Sequence, residues 1–472
     1  MKNAYFSVFL FLGIWNTSAQ FGAQQIIDAS ANAPIKALPY DINQDGFIDI
    51  VSILADEDRI VWYQNTEGSG DFGGKQYLSP SIPAIEGLEM YDLNGDGLKD
   101  IIYKTNLDLI AWLENLDGLG NFGSEQIIAN TSYPYTFSFE DLDNDGDIDV
   151  FANLFHDSFD NRLVWYENID GQGNFSGENI IEIGSFYGDG GGSIILNFDL
   201  DNDGDIDVIT SYEGYAPSKL IWYENIDGEG DLSIAQELHQ FQYNPLSDFS
   251  SISSLGFADV NGDSKMDLIA STFFDDGEYY GHNIVWIENL DGQGTFGTPE
   301  VFYNDANTYL MTFYDLDNDG DVDILKGQGS NISWFENNDG LGSFNDEVLI
   351  SYEVIGLRDI SAADFNKDGF LDIATASRFD DKVAWYENLG PLGVDDTEFE
   401  YFVLYPNPTT TITTVQSKNT VQSIRVFDCL GNTIKTVYNS NEINLSELSA
   451  GIYFLHIEDI NGFTQIHRTL KL

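Results

Sequence analysis

Residues 141–149 read Asp141-Leu142-Asp143-Asn144-Asp145-Gly146-Asp147-Ile148-Asp149. Carboxylates stand at positions 1, 3, 5 and 9 of this nine-residue loop, and glycine stands at position 6. Alternate side chains of a tight loop converge on one point, and glycine permits the sharp turn that closes it. Four carboxylates held so close repel one another unless a cation lies between them. The pattern fits a hard divalent ion bound through oxygen.

The same arrangement recurs six times: at Asp41, Asn43, Asp45 and Asp49; at Asp92, Asn94, Asp96 and Asp100; at Asp199, Asp201, Asp203 and Asp207; at Asp259, Asn261, Asp263 and Asp267; at Asp315, Asp317, Asp319 and Asp323; and at Asp364, Asn366, Asp368 and Asp372. Positions 1, 5 and 9 are Asp in every copy, and position 3 is Asp or Asn. Successive copies start 49 to 60 residues apart. Acidic turns scattered over a solvated surface would not keep such a period, which is the mark of a repeat architecture.

Each repeat has one grammar. An apolar-alternating run leads into the acidic loop, as in Tyr135-Thr-Phe-Ser-Phe139, and a β-rich run leaves it, as in Ile148-Asp-Val150-Phe151. Then come Leu163-Val-Trp165-Tyr166-Glu167-Asn168, a turn at Asp170-Gly171-Gln-Gly173, and a last strand after Phe175. Four short strands joined by tight turns, seven times over, predict an all-β fold, a seven-bladed β-propeller. Trp62, Trp112, Trp165, Trp222, Trp286, Trp334 and Trp385 fall once per repeat, in the third strand. Such a ladder could stack sugars, but large rings between facing blades explain it better. The Glu-Asn-x-Asp-Gly-x-Gly segment reads as a hairpin turn rather than a second cation site.

The seventh repeat stops at Glu387-Asn388-Leu389-Gly390, before a fourth strand. Phe21-Gly-Ala-Gln-Gln25-Ile26-Ile27 matches Phe122-Gly-Ser-Glu-Gln126-Ile127-Ile128, the fourth strand of the second repeat. The N-terminal strand is therefore expected to complete the last blade, which removes an exposed sheet edge.

The composition agrees. The chain has 472 residues, 79 acids against 19 bases and a net charge of −60. The loop ligands account for 24 of those acids, and the remainder argues against nucleic acid or anionic membranes as partners. Cys429 is the sole cysteine, so no intrachain disulfide forms, and bound cations can serve as staples instead. Residues 1–19 read as a secretory signal: Lys2, an apolar run from Ala4 to Trp15, and a small-residue cleavage site at Thr17-Ser18-Ala19. That run is too short to span a membrane. Residues 391–402 break the repeat and read as a linker, and residues 403–472 follow a different grammar.

On these loops and this blade grammar, residues 20–390 resemble the FG-GAP/VCBS repeats of integrin-α-like propellers. The resemblance implies up to seven Ca²⁺ ions, each held by side chains at positions 1, 3, 5 and 9 and a carbonyl at position 7. Ser264 and Lys265 depart from the pattern and put the fifth site in question. The tail carries Tyr405-Pro406-Asn407-Pro408, Val426-Phe-Asp428-Cys-Leu-Gly431 and Leu445-Ser-Glu-Leu448-Ser-Ala-Gly451-Ile-Tyr453. These resemble the type A C-terminal sorting domain of type IX secretion in Bacteroidota. That implies a small Ig-like β-sandwich, recognition by the secretion machinery, later cleavage, and a secreted or outer-membrane-surface protein.

Catalytic constellations are scarce. No Gly-x-Ser-x-Gly, His-Glu-x-x-His or phosphate-binding glycine loop is present, and cation binding accounts for most paired acids. Loop lengths say more. From each Trp to the following Phe or Leu the gap is 10 in all six complete repeats. This turn and the acidic loop share one face of a propeller. On the other face, the span from ninth-position Asp to Trp runs from 11 to 19 residues, and the insertions gather in repeats three to five. Their Tyr212, Tyr215, Tyr279, Tyr280 and His282 are candidates to bind a ligand, since variable loops on a rigid scaffold commonly carry function. The expected role is a binding or adhesion module, with glycans as one ligand class. A polysaccharide-active lyase or hydrolase, or a structural surface component, are the alternatives.

Overall fold

The computed structural model describes residues 19–471, apart from 132, 156–160, 185–193, 213–217, 242–251, 276–279, 306–307, 392–401, 418, 429–432 and 461–463. Residues 1–18 of the expected signal sequence and Cys429 therefore lie outside the described residues. The chain divides into two compact units, Met1–Leu392 and Gly393–Leu472.

The first unit contains seven four-stranded antiparallel sheets. The third shows how each is built. Pro134–Glu140 pairs with Asp149–Phe155, that strand with Asn161–Tyr166, and that with Asn179–Gly184. The second strand of a blade is covered on both faces. Asp49–Leu54, Asp100–Thr105 and Asp372–Ser377 are buried at every residue. Fourth strands lie outermost, and Ile26, Ile127, Ile180 and Val301 remain exposed there.

The tryptophans fill the gaps between blades. Trp62, Trp112, Trp222, Trp334 and Trp385 are buried. Trp112 lies over Gly173 in the hairpin of the next blade, so closely that a Cβ at Gly173 would sit 2.3 Å from the indole. Gly173 also has φ +76°, so both backbone and space require glycine. The same contact joins Trp62 to Gly120, Trp286 to Gly342 and Trp385 to Gly70.

Blade seven is built from both ends of the unit. Its sheet order is Gln25–Asp28, Lys382–Tyr386, Asp372–Ser377, Leu357–Ala363. Gln25 stands opposite Trp385, and Phe21 opposite Asn388. In blade one, Asn65 faces Phe72 in the same way. The pairing of Ala19 with Pro391 carries the blade one residue beyond the boundary expected at 390.

The second unit has two sheets. Phe402–Tyr405, Ile412–Ser417 and Glu442–Asn444 form one, and Thr433–Tyr438, Val421–Phe427, Gly451–Asp459 and Thr464–Lys471 form the other. Phe402, Val415 and Ile443 of the first meet Ile424, Val426 and Leu455 of the second in a single apolar core. The strand beginning at Phe402 takes that residue out of the expected linker. Asn407 ties the Tyr405-Pro406-Asn407-Pro408 segment to the last strand: its Oδ1 accepts from Leu470 N–H at 3.0 Å and its Nδ2 donates to Arg468 O at 2.8 Å.

Candidate functional site

Every acidic loop is organised by its own backbone. In the third loop, Asp141 Oδ1 accepts from Asp145 N–H at 3.1 Å and Oδ2 from Gly146 N–H at 2.9 Å. Asp145 Oδ1 accepts from Asp147 N–H at 2.9 Å. Asp149 Oδ2 accepts from Leu142 N–H at 3.2 Å and Oδ1 from Asn168 N–H at 2.8 Å. The first-position bonds recur in all seven loops. Each carboxylate oxygen that accepts one N–H keeps a further lone pair that a cation can take.

Loops with Asp at position 3 bring three carboxylates close together. Ligand atoms of Asp141, Asp143 and Asp145 lie within 4.8 Å of one another, as do those of Asp199, Asp201 and Asp203, and of Asp315, Asp317 and Asp323. In the first and seventh loops the third-position side chain is an amide, and it donates to the fifth carboxylate: Asn43 to Asp45 at 2.8 Å and Asn366 to Asp368 at 2.9 Å. The decisive group is Asp317. Its side chain is 3% exposed, and neither carboxylate oxygen has a hydrogen-bond partner. A buried carboxylate without donors is costly, and a cation on its oxygens removes that cost. The residues present therefore fit a hard divalent ion.

The fifth loop differs as its sequence implies. Ser264 adopts φ +67° where six loops have glycine, yet its N–H still donates to Asp259 at 2.9 Å. Lys265 reaches back to Asp263 Oδ2 at 2.7 Å, so an ammonium already neutralises one ligand. In this loop the cation is built in.

Burial raises the ninth-position carboxyls. Asp49, Asp100, Asp149, Asp207 and Asp372 are pushed up to about 7 and Asp323 to about 8, against the N–H donors that pull them down. Burial, then Asp319 and Glu336, pushes Asp317 up to about 7. The folded pKa exceeds the unfolded one of 3.8, so between about 4 and 7 the folded chain binds protons that the unfolded chain has lost. Without a divalent ion, stability should fall as pH rises through that window. With the ion the carboxylates must be ionised to bind, so the trend should reverse. Calorimetry at pH 5 and 7.5, in chelator and in Ca²⁺, checks this: the chelated protein should melt higher at pH 5 and the Ca²⁺ form higher at pH 7.5.

Adjacent loops are also joined. Asn168, whose N–H holds Asp149, donates its Nδ2 to Leu93 O in the preceding blade's loop at 2.9 Å. Asn65, Asn225, Asn337 and Asn388 make the same bridge, at 2.7 to 2.8 Å. In Asn115 and Asn289 the amide instead donates within its own blade, to Lys99 O and Met266 O. Sequence reasoning passed over this bridge, although Asn holds the place in all seven repeats. The segment after it is a turn, with Asp170 Oδ1 accepting from Gln172 N–H at 3.1 Å.

These loops recur where a family signature falls. An FG-GAP-like repeat model matches residues 41–103, 141–210, 199–270 and 315–375, more than half of the chain. The chain belongs to the FG-GAP-like repeat family. Residues 403–470 of this FG-GAP protein match the secretion system C-terminal sorting domain, which marks it for secretion or cell-surface attachment of the Bacteroidota type. A T-cell immunomodulatory protein homolog of Plasmodium yoelii yoelii is 28% identical over 131 residues, 27% of this chain and 19% of that protein. The match thus spans about a fifth of that relative. Among solved structures, an Agrocybe aegerita lectin described for recognition of non-reducing terminal N-acetylglucosamine superimposes with TM-score 0.50 at 18% identity, over 68% of this chain and 81% of that one. A polysaccharide lyase, an ulvan lyase of family PL25, gives 0.46 at 12% identity, over 80% and 95%. At 18% identity the likeness to the lectin shows the fold alone.

Three of the five ligand residues expected on the opposite face have a described backbone. Tyr215 and Tyr279 lie outside the described residues. The backbones of Tyr212 and Tyr280 end and begin strands, Asp207–Tyr212 and Tyr280–Ile287. His282 is 4% exposed, its Nδ1 is 3.0 Å from Ser253 Oγ, and its ring meets Tyr309 at 5.3 Å. His282 is therefore packed into its blade rather than presented on an open face, because its ring nitrogen found a partner inside.

Proposed function

We propose that this secreted FG-GAP propeller is a binding module, locked by Ca²⁺ on one face and presenting a glycan-binding surface on the other. The observation that supports this reading is the division between the faces. On the acidic-loop face the acidic loops keep one length and the same first-position hydrogen bonds through seven blades, and the hairpin turns keep one length in six. The other face varies in loop length and exposes large apolar rings, among them Tyr352, Tyr309 and Phe379. Aromatic rings stack on the apolar side of a sugar while amides and carboxylates bond its hydroxyls. The acidic loops supply the rigidity that such a surface needs.

The test is to pass the full chain over a polysaccharide panel in Ca²⁺ and in chelator. Retention of the protein on at least one glycan in Ca²⁺, with the glycan recovered unchanged, is the expected result. New reducing ends or unsaturated sugar products would replace the binding reading with a catalytic one.

A further inference from the structure

In the four blades where this position is described, the chain turns through a left-handed backbone into the inner strand eight residues before the first Asp of the acidic loop. Blades one, two and seven do so at Ala33 (φ +56°), Ala84 (φ +58°) and Gly356 (φ +71°). Blade three does so at Tyr133 (φ +42°). The frame is the same: Phe155 N–H donates to Tyr133 O at 3.0 Å, as Ala55 does to Ala33, Asn106 to Ala84 and Arg378 to Gly356. A left-handed backbone suits small residues and disfavours a bulky one. Blade three thus holds an aromatic residue where its sisters show that the fold needs none.

The partner positions carry the same exception. Phe155 stands where blades one, two and seven have Ala55, Asn106 and Arg378, and Tyr135 where they have Ile35, Glu86 and Arg358. The three rings form one cluster, with centroids 5.6 Å apart for Tyr133 and Tyr135, 6.4 Å for Tyr133 and Phe155, and 6.2 Å for Tyr135 and Phe155. They are not buried by meeting: Tyr133 remains 40% and Phe155 39% exposed. Tyr133 N–H donates to Leu107 O at 3.0 Å, which brings the 56%-exposed Leu107 and its exposed neighbour Asp108 to the rim. All of this lies on the variable face, opposite the acidic loops.

We infer that Tyr133, Tyr135 and Phe155 form a sugar-stacking subsite for a neutral pyranose chain, an inference that rests on the glycan-binding reading. Ala33 and Ala84 make the same left-handed turn, so what sets blade three apart is the bulky ring kept there, and a costly conformation held by a bulky residue is characteristic of a position kept for function. A cluster of rings tilted 56° to 74° to one another, with a carboxylate and a leucine at its edge, offers ring faces to the apolar side of a pyranose and an acceptor to its hydroxyls. A chain of net charge −60 repels uronates and sulfated glycans, which selects the neutral class.

The experiment is affinity electrophoresis of the full chain through laminarin, mannan, xylan and alginate, with Tyr133→Gly and Phe155→Ala beside the parent. Retardation by a neutral polysaccharide should weaken about tenfold in each variant. Tyr133→Gly should melt no lower than the parent, because glycine suits the backbone there. Binding lost together with stability in Tyr133→Gly would make the ring structural and overturn the subsite. A parent retarded by a neutral gel and variants retarded equally would also overturn the subsite, while leaving the glycan reading intact. Retardation by alginate alone would overturn the neutral class. A parent retarded by none of the gels would overturn the glycan reading and the subsite with it.

Discussion

Removing residues 21–28 should abolish the cooperative melting of the propeller. Gln25–Asp28 is the outer strand of blade seven, and among the described residues no other segment pairs there. Ile27 and Phe21 pack at the edges of two apolar clusters. Gln24 donates to the Tyr386 hydroxyl at 2.7 Å, and the Tyr63 hydroxyl of blade one donates to Asp28 at 2.9 Å. Two partly buried apolar side chains at about 1–2 kcal/mol each and several hydrogen bonds at about 1 kcal/mol each come to roughly 5 kcal/mol. Most domains have only about 5–15 kcal/mol in total. Circular dichroism of the truncated chain on heating is the measurement, and a melting curve like the parent's would mean that the ring holds without its N-terminal strand.

Calcium removal should have an effect of similar size. A site filled at about a hundred times its dissociation constant contributes roughly 2.7 kcal/mol, so three filled sites contribute about 8 kcal/mol. The loops around Asp143, Asp201 and Asp317, with four carboxylates each, should dominate. Asp317→Asn separates the ion from other causes. In chelator it should raise the melting temperature, because a buried, partnerless charge has gone. In Ca²⁺ it should lower it, because a ligand has gone. A parent whose calorimetric transition is the same in chelator and in Ca²⁺ would remove the metal from the account.

The repeat was legible because its signal is chemical and periodic. Asp at fixed spacing, one Trp per repeat and a fixed hairpin length together specify seven four-stranded sheets. The match between Phe21 and Phe122 even located the missing strand. What the sequence hid depends on three-dimensional neighbours. The Asn168 bridge to Leu93 spans 75 residues, and no spacing within a repeat shows that an amide will cross to the next blade. His282 looked like a ligand group because it sits in a long insertion. Its burial against Ser253, 29 residues away and two strands across the same sheet, is a three-dimensional fact that no spacing shows. Tyr133 escaped notice for the opposite reason: one tyrosine among 25 means little until its backbone angle is compared with those of Ala33 and Ala84.

The blade shared between both ends of the propeller also dictates an order of events. Gln25 meets its partner Trp385 across 360 positions of chain, so the strand made first must wait for almost the last. A chain emerging from a ribosome or a translocation pore can assemble blades one to six as they appear, but not the seventh. Until then Lys382–Tyr386 offers an open edge, and so does the waiting N-terminal strand. Contacts this distant in sequence form slowly, since a long loop must close before they stabilise anything. The vulnerable interval for this protein is therefore the one just before completion, when six blades are in place and the circle is still a horseshoe.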